Sequence, residues 1–242
     1  MTLPDTATIR DTMVVALARL LHNDERIFHG VASPIPMVAT LLAKAVQAPH
    51  VVYLSIAGGV DAEPVELPVS TVDPRLLANA RSMVTLTDLF DLAASGRLDV
   101  AFLSGVQIDG QGRINMSVIG PFDHPKVRLP GGAGSAAILP RAKRTVLWRT
   151  RHDRRVFVEG LDFVTAAGNV SHVVTPLCVF QRQDDRLVVA SRHTWASPED
   201  IREATGFAVD VFERTPITQE PTAQELQALR TIDPGDVSLT EF

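Results

Sequence analysis

Two stretches of this 242-residue sequence could do chemistry with their backbone. In the first, an apolar run over residues 50–56 (HVVYLSI) breaks into small residues, so that Ser55, Ile56, Ala57, Gly58 and Gly59 end a strand in a turn without bulky side chains. In the second, Gly131, Gly132, Ala133 and Gly134 place three glycines in four positions, just before Ser135. Open α/β sheets bind ligands beyond the carboxyl ends of their strands. Amides exposed at such loops bind anions or hold a developing oxyanion. The amides of Gly58, Gly59 and Gly132 are the ones expected to do this.

Familiar catalytic motifs are missing. Gly132, Gly134 and Ala137 match a dinucleotide fingerprint in form, but they follow the polar stretch 123–128 and not a strand, so the required context fails. There is no Walker A sequence, no HExxH and no GxSxG. Cys178 lies in an apolar run, TPLCVF, and reads as a core residue. The seven histidines show no ligand spacing and read as structural or solvated. Asp61, Glu63 and Glu66 sit in a loop, where solvent is the expected surrounding.

The elements that position these residues follow from periodicity. Residues 8–21 predict an amphipathic helix, with Ile9, Met13, Leu17, Leu20 and Leu21 on one face. Residues 26–31 predict a strand, and Ser33 with Pro34 opens a helix that runs to residue 46. The 50–56 run predicts a strand buried on both faces, as in a parallel sheet. A helix over 87–95 stops at Gly96, and strands follow at 100–105, 145–148, 156–159, 173–181 and 186–191. Gln183, Asp184 and Asp185 predict a hairpin. Ser197, Pro198, Glu199 and Asp200 open a helix ended by Gly206, and Thr222 with Glu225 makes a capping box for a last one. Strand–helix alternation predicts an α/β fold with a mainly parallel sheet, in a single domain over 1–242 without repeats or linkers.

Composition bounds the function. Hydrophobic residues make up 45% of the chain and aromatics 5%, so the core is built from Val, Leu, Ile and Ala. A net charge of −5 without a long basic run argues against a nucleic-acid surface. One cysteine excludes an intramolecular disulfide and suits a reducing cytoplasm. The N-terminal residues lack a signal-peptide pattern, and no apolar run approaches the roughly 18 residues that span a bilayer. Neither a metal nor a nucleotide cofactor is expected.

Five collinear segments together resemble one family. HVVYLSIAGGVDAEPVELP over 50–68 is similar to the strand and loop that carry the active-site glutamate in β subunits of glutaconate CoA-transferase. GVQIDGQG over 105–112, with Gly105, Gln107 and Asn115, resembles a further segment of that family. The others are Asp123-His124-Pro125-Lys126 leading to Gly131, Gly132, Ala133 and Gly134, then 197–207, then Ile232-Asp233-Pro234-Gly235. The resemblance covers nearly the whole chain. It implies a Rossmann-like α/β fold of the CoA-transferase type, a mainly parallel sheet flanked by helices. It also implies an α-type partner subunit, in a heterodimer or α2β2 assembly, and a coenzyme A thioester bound at the subunit interface. Ser33, Gly105, Gln107, Asn115 and the 131–134 loop are then the residues expected to bind it. The basic patch of Arg149, Arg151, Arg154 and Arg155 would meet CoA phosphates, meet the partner, or face solvent.

In such transferases the glutamate attacks the thioester and later carries CoA. Anchored on Pro64-Val65-Glu66, its position here falls on Ile56, which has no nucleophile and no ionisable group. Several readings stay open. One branch of the family decarboxylates 3-methylglutaconyl-CoA and has a cysteine at that position. The segment 30–34, Tyr53-Leu54 and Trp195-Ala196-Ser197 look like that branch, and its chemistry, decarboxylation of a glutaconyl-CoA-type substrate, is the leading expectation. A ring-opening CoA-thioester hydrolase would take its catalytic group from the α-type subunit. A transferase would need Asp61 or Glu63 folded back to the site. A ligand-sensing module without catalysis is the remaining alternative.

Overall fold

The computed structural model describes residues 3–242. The chain gathers into two compact units, one formed by Pro4–Phe102 with Glu220–Phe242 and the other by Leu103–Gln219 with Leu3.

In the first unit, helix α1 (Thr6–Arg19) begins at Asp5, whose carboxylate accepts the Thr8 amide at 2.9 Å. Sequence periodicity predicts one apolar face, but α1 is buried almost all round from Ile9 to Ala18, Arg10 and Thr12 included. Small residues such as Ala16 and Ala18 let neighbours close on several sides. The Arg10 guanidinium is accommodated by Asp11 at 2.6 Å, Ser238 at 2.9 Å and Asp236 at 3.0 Å. Strand β1 (Arg26–His29) leads into α2 (Pro34–Val46) and then β2 (Val52–Leu54). β1 pairs in parallel with β2 on one side, Phe28 opposite Leu54. Short strands β3 (Gly59–Val60) and β4 (Ser82–Met83) extend the β2 side antiparallel. Helix α3 (Leu86–Ala94) starts at a Thr85–Asp88 capping box and ends before Gly96 at φ +67°. Strand β5 (Val100–Leu103) pairs in parallel with the other side of β1, His29 opposite Phe102.

The second unit holds β6 (Gln107–Asp109), β7 (Ile114–Asn115), β8 (Val118–Ile119), β9 (Val127–Arg128), the single turn α4 (Ser135–Ile138), β10 (Arg144–Trp148), β11 (Phe157–Val158), β12 (Val170–Val174), β13 (Cys178–Gln183), β14 (Arg186–Arg192) and α5 (Pro198–Ala204). β10 and β12 are parallel, and β13 and β14 continue antiparallel. The one strand predicted over 173–181 is two. Pro176 has no amide to donate to a ladder, and the Thr175 hydroxyl takes the Leu177 and Cys178 amides at 3.2 and 3.1 Å, closing a turn. The predicted hairpin is present, with Asp184 at φ +54°. Both predicted capping boxes form, at Ser197–Asp200 and Thr222–Glu225. The latter starts α6 (Ala223–Ile232), which returns to the first unit and packs on α2. The result is a mixed α/β fold with parallel strands as its framework. No helix among the described residues is long and apolar enough to cross a membrane.

Candidate functional site

The turn after β2 is built by Ser55. Its amide donates to the Gly59 carbonyl at 2.9 Å, and its carbonyl accepts the Gly58 amide at 2.9 Å. Its hydroxyl oxygen accepts the Gly59 amide at 3.0 Å and donates to the Leu76 carbonyl at 3.4 Å. This corrects one expectation: the Gly58 and Gly59 amides already have acceptors, so they cannot hold an oxyanion. The glycines serve close backbone approach instead. A Cβ on Gly59 would lie 2.3 Å from the Leu76 carbonyl oxygen, nearer than any real contact. Ile56 and Ala57 form the half-buried tip, and among the described residues their amides meet no acceptor. The tip therefore offers two free amides beneath two apolar side chains.

The loop carboxylates do not behave alike. Glu63 and Glu66 are exposed, as expected. Asp61 is buried at 7% exposure, a correction to the solvated loop read from sequence. Its carboxylate accepts the Tyr53 amide at 3.0 Å and pairs with the Lys44 ammonium, and its own amide donates to the Tyr53 carbonyl at 2.8 Å. Swinging Asp61 toward Ile56 would strand a lysine and a buried amide, at roughly 1–3 kcal/mol for the amide alone.

The loop after β1 is equally fixed. His29 is fully buried, with Nε2 2.7 Å from the Tyr53 hydroxyl and Nδ1 3.1 Å from the Gly30 carbonyl. Burial pushes its pKa down to about 4 and pushes the Tyr53 phenol up. The Thr71 hydroxyl reaches the same Gly30 carbonyl at 3.2 Å. Ser33 is buried, and its hydroxyl donates to the Val31 carbonyl at 2.9 Å without capping α2. A helix that follows the first strand of an α/β sheet commonly receives phosphate at its N-terminus. Here the first turn of α2 has little to give. Pro34 and Pro36 lack amide hydrogens, the Ile35 amide donates to the Glu241 carboxylate at 2.6 Å, and the Met37 amide to the Ser33 carbonyl at 3.1 Å.

In the second unit, the Gly131 amide donates to the Met116 carbonyl at 2.7 Å, and the Gly132 and Gly134 carbonyls receive amides of α4. The amides of Gly132, Ala133 and Gly134 meet no acceptor among the described residues. Ala133 is exposed at φ +43°. Asn115 is fully buried. It donates to Gln107 Oε1 at 2.8 Å and the Val118 carbonyl at 2.6 Å, and accepts the Ser117 amide at 2.9 Å. Asn115 and Gln107 thus shape the 116–118 loop, whose Met116 carbonyl anchors Gly131. Gly105 passes the side of β7, where a Cβ would lie 2.8 Å from that of Ile114. Asp123, His124 and Lys126 lie on an exposed β8–β9 connection. In the basic patch, Arg154 donates to the Glu203 carbonyl at 2.9 Å, while Arg151 and Arg155 are exposed.

Cys178 is buried, and burial pushes its thiol up to about 12, so it is inert as a nucleophile. His152 bridges the Thr175 and Thr205 hydroxyls at 2.8 and 3.0 Å, and burial holds its pKa down at about 3. Among the described residues no three His, Cys, Asp or Glu side chains gather as a metal site. Sequence reasoning missed the His29–Tyr53 pair, the Lys44–Asp61 pair and the Glu241 cap. The lone tyrosine of the chain, set inside an apolar strand, was the one available signal, because a buried phenol needs a partner.

Residues 10–208 match the family described as coenzyme A transferase. The chain is 34% identical over 242 residues to the β subunit of 3-oxoadipate CoA-transferase of Pseudomonas knackmussii, covering 92% of each. It is 28% identical over 255 residues to the β subunit of glutaconate CoA-transferase of Acidaminococcus fermentans, covering 94% of this chain and 93% of the relative. It also superimposes on a chain of the decarboxylase AibA/AibB with a TM-score of 0.90 at 34% identity, covering 97% and 98% of the two chains. The turn at Ile56, the loop at Gly132 and the α/β framework that carries them are those of a chain that belongs to the coenzyme A transferase family, among its β-type subunits.

Proposed function

We propose that this chain is the β-type subunit of a heteromeric cytoplasmic enzyme that decarboxylates a CoA thioester of the glutaconyl-CoA type. One observation carries the reading. The turn where a CoA-transferase glutamate is expected has Ile56 at its tip, and the buried carboxylate nearest to it in sequence, Asp61, is committed to Lys44 and the Tyr53 amide. Without a carboxylate at the tip, this position can form no acyl-anhydride and no glutamyl thioester, which speaks against the transfer route. What remains suits a reaction that needs no enzyme nucleophile.

The substrate carboxylate loses solvation when it enters the apolar surroundings of Ile56 and Ala57. Its carbon–carbon bond breaks, CO2 leaves, and the bonding pair delocalises through the double bond into the thioester carbonyl. The charge-dispersed dienolate loses less solvation than the carboxylate did, so the apolar tip favours the transition state over the ground state. In this reading the carboxylate lies against the Ile56 and Ala57 side chains, while their free amides donate to the thioester oxygen as its charge grows. A proton from solvent or from the partner subunit then completes the product. In the second unit the amides of Gly132, Ala133 and Gly134 form a separate candidate anion site, with Gly105, Gln107 and Asn115 shaping their loop. Ser33 shapes the loop after β1.

An α-type partner supplies the rest of the active site. The names of two relatives, each a subunit of a larger enzyme, and the two-component name of AibA/AibB support this. The test is co-expression with an α-type subunit, followed by mass spectrometry of glutaconyl-CoA and 3-methylglutaconyl-CoA incubated with the complex. A thioester lighter by CO2 is expected, and the single chain should be inactive. CoA exchange onto a free acid, or simple hydrolysis, overturns the assignment in favour of transferase or hydrolase.

A further inference from the structure

We propose that His29 and Tyr53 form a buried positioning pair that locks the loops around the Ile56 turn, so that the Tyr53 hydroxyl is needed for turnover and not for thioester binding. The inference rests on the reading of that turn as the reacting centre.

Chemistry fixes the direction of each hydrogen bond. The Gly30 carbonyl can only accept, so His29 Nδ1, 3.1 Å away, carries the proton. His29 Nε2 is then a lone pair, and the Tyr53 hydroxyl at 2.7 Å must be its donor. The two rings stack with centroids 5.4 Å apart and planes 21° from parallel. From this pair the constraint reaches three segments. The Gly30 carbonyl, held by His29 and by the Thr71 hydroxyl, leads into exposed Val31, Ala32 at φ +48° and buried Ser33. Thr71 belongs to the long connection after β3. The Tyr53 ring packs with Met37, Leu76 and Val237, and Ala57 of the turn packs against that same cluster. Tyr53 is also gripped through its backbone by Asp61.

A phenylalanine and a leucine would fill this volume as well. A polar pair adds direction, because it can be satisfied in only one arrangement of the loops. Reacting groups misplaced by about 1 Å lose around a hundredfold in rate while still binding substrate. That is the signature a positioning pair should give.

The experiment compares wild type, Tyr53→Phe, His29→Leu and His29→Gln in complex with the partner subunit. Each is read by kcat and KM on whichever acyl-CoA reaction the wild-type complex performs, and by hydrogen exchange of peptides covering residues 30–33 and 55–59. Tyr53→Phe and His29→Leu should lower kcat by about 10- to 100-fold with KM within about twofold. They should speed exchange in those two peptides alone, and His29→Gln, which keeps an acceptor, should recover much of the loss. Unchanged kcat, or exchange that rises evenly along the chain, overturns the proposal. Nitrogen NMR of the wild type gives a test free of any variant: the proton must sit on His29 Nδ1, and a proton on Nε2 refutes the pair. Should the wild type transfer CoA or hydrolyse the thioester, the decarboxylase reading fails, while the kcat ratios still judge the pair.

Discussion

Replacing Asp61 with asparagine separates a structural carboxylate from a catalytic one. Asparagine keeps an oxygen for the Tyr53 amide, which lies 3.0 Å from the carboxylate, but removes the charge that faces Lys44. At a contact distance near 3 Å and an effective dielectric of about 20, the lost Coulomb attraction is about 5 kcal/mol. Removing one partner of a buried pair costs about 3–5 kcal/mol in measured cases. The Lys44 side chain keeps 22% of its exposure and can rehydrate in part, which lowers the expected loss to about 2–3 kcal/mol. For a chain of this size each kcal/mol moves the melting temperature by about 2–4 °C, so Asp61→Asn should melt about 4–12 °C lower. Calorimetry of the variant checks the shift, and adding Lys44→Gln should restore at least half of it, since the stranded charge is then gone. Activity of the complex should survive at temperatures below the transition. A variant that melts within about 2 °C of wild type yet loses all acyl-CoA turnover would show that Asp61 takes part in the chemistry, and would revive the transferase reading.

Ile56→Glu should abolish decarboxylation and give weak CoA exchange onto a free acid. Like charges about 4 Å apart repel by about 4 kcal/mol at an effective dielectric near 20, so the loss should shrink at low pH as the new carboxyl protonates, and native activity that survives unchanged would refute the placement of Ile56. Glu241→Gln weakens the acceptor of the Ile35 amide at the start of α2 and should cost about 1 kcal/mol in urea unfolding. An unchanged midpoint would mean the cap is dispensable. Burial lowers the folded pKa values of His29 and His193 to about 4 and of His152 to about 3, from a usual 6.5. Each histidine then binds a proton near pH 6 only when unfolded, so stability is complete above pH 6.5 and falls toward pH 4, approaching about 1.4 kcal/mol per pH unit for each. Urea titrations at pH 7.5, 6 and 5 that give equal stabilities would contradict this.

Local chemistry made much of the fold legible. The capping residues of α5 and α6, the proline start of α2 and the glycine after α3 mark boundaries through interactions only a few residues long. The turn at Ser55–Gly59 was visible for the same reason. The two-residue strands β3, β4, β7, β8 and β9 were not, because partners distant in sequence define them and two residues carry no periodicity. The break at Pro176 was hidden inside an apolar run that reads as one strand until the missing amide is counted. At the candidate site the sequence located the loops but not their free donors. Gly58 and Gly59 looked like the obvious amides, yet the Ser55 side chain and backbone claim both, leaving the bulkier Ile56 and Ala57. Asp61 looked solvated because its partner, Lys44, lies 17 residues earlier on another element.

The Glu241 carboxylate that closes the start of α2 lies 206 residues after Ile35. At about 5–20 residues per second, a ribosome makes that cap roughly 10–40 s after the helix it completes. The second unit, whose last residue is Gln219, has all its parts sooner. During synthesis, therefore, the later-coded unit can finish first, while the earlier one waits with the N-terminus of α2 open.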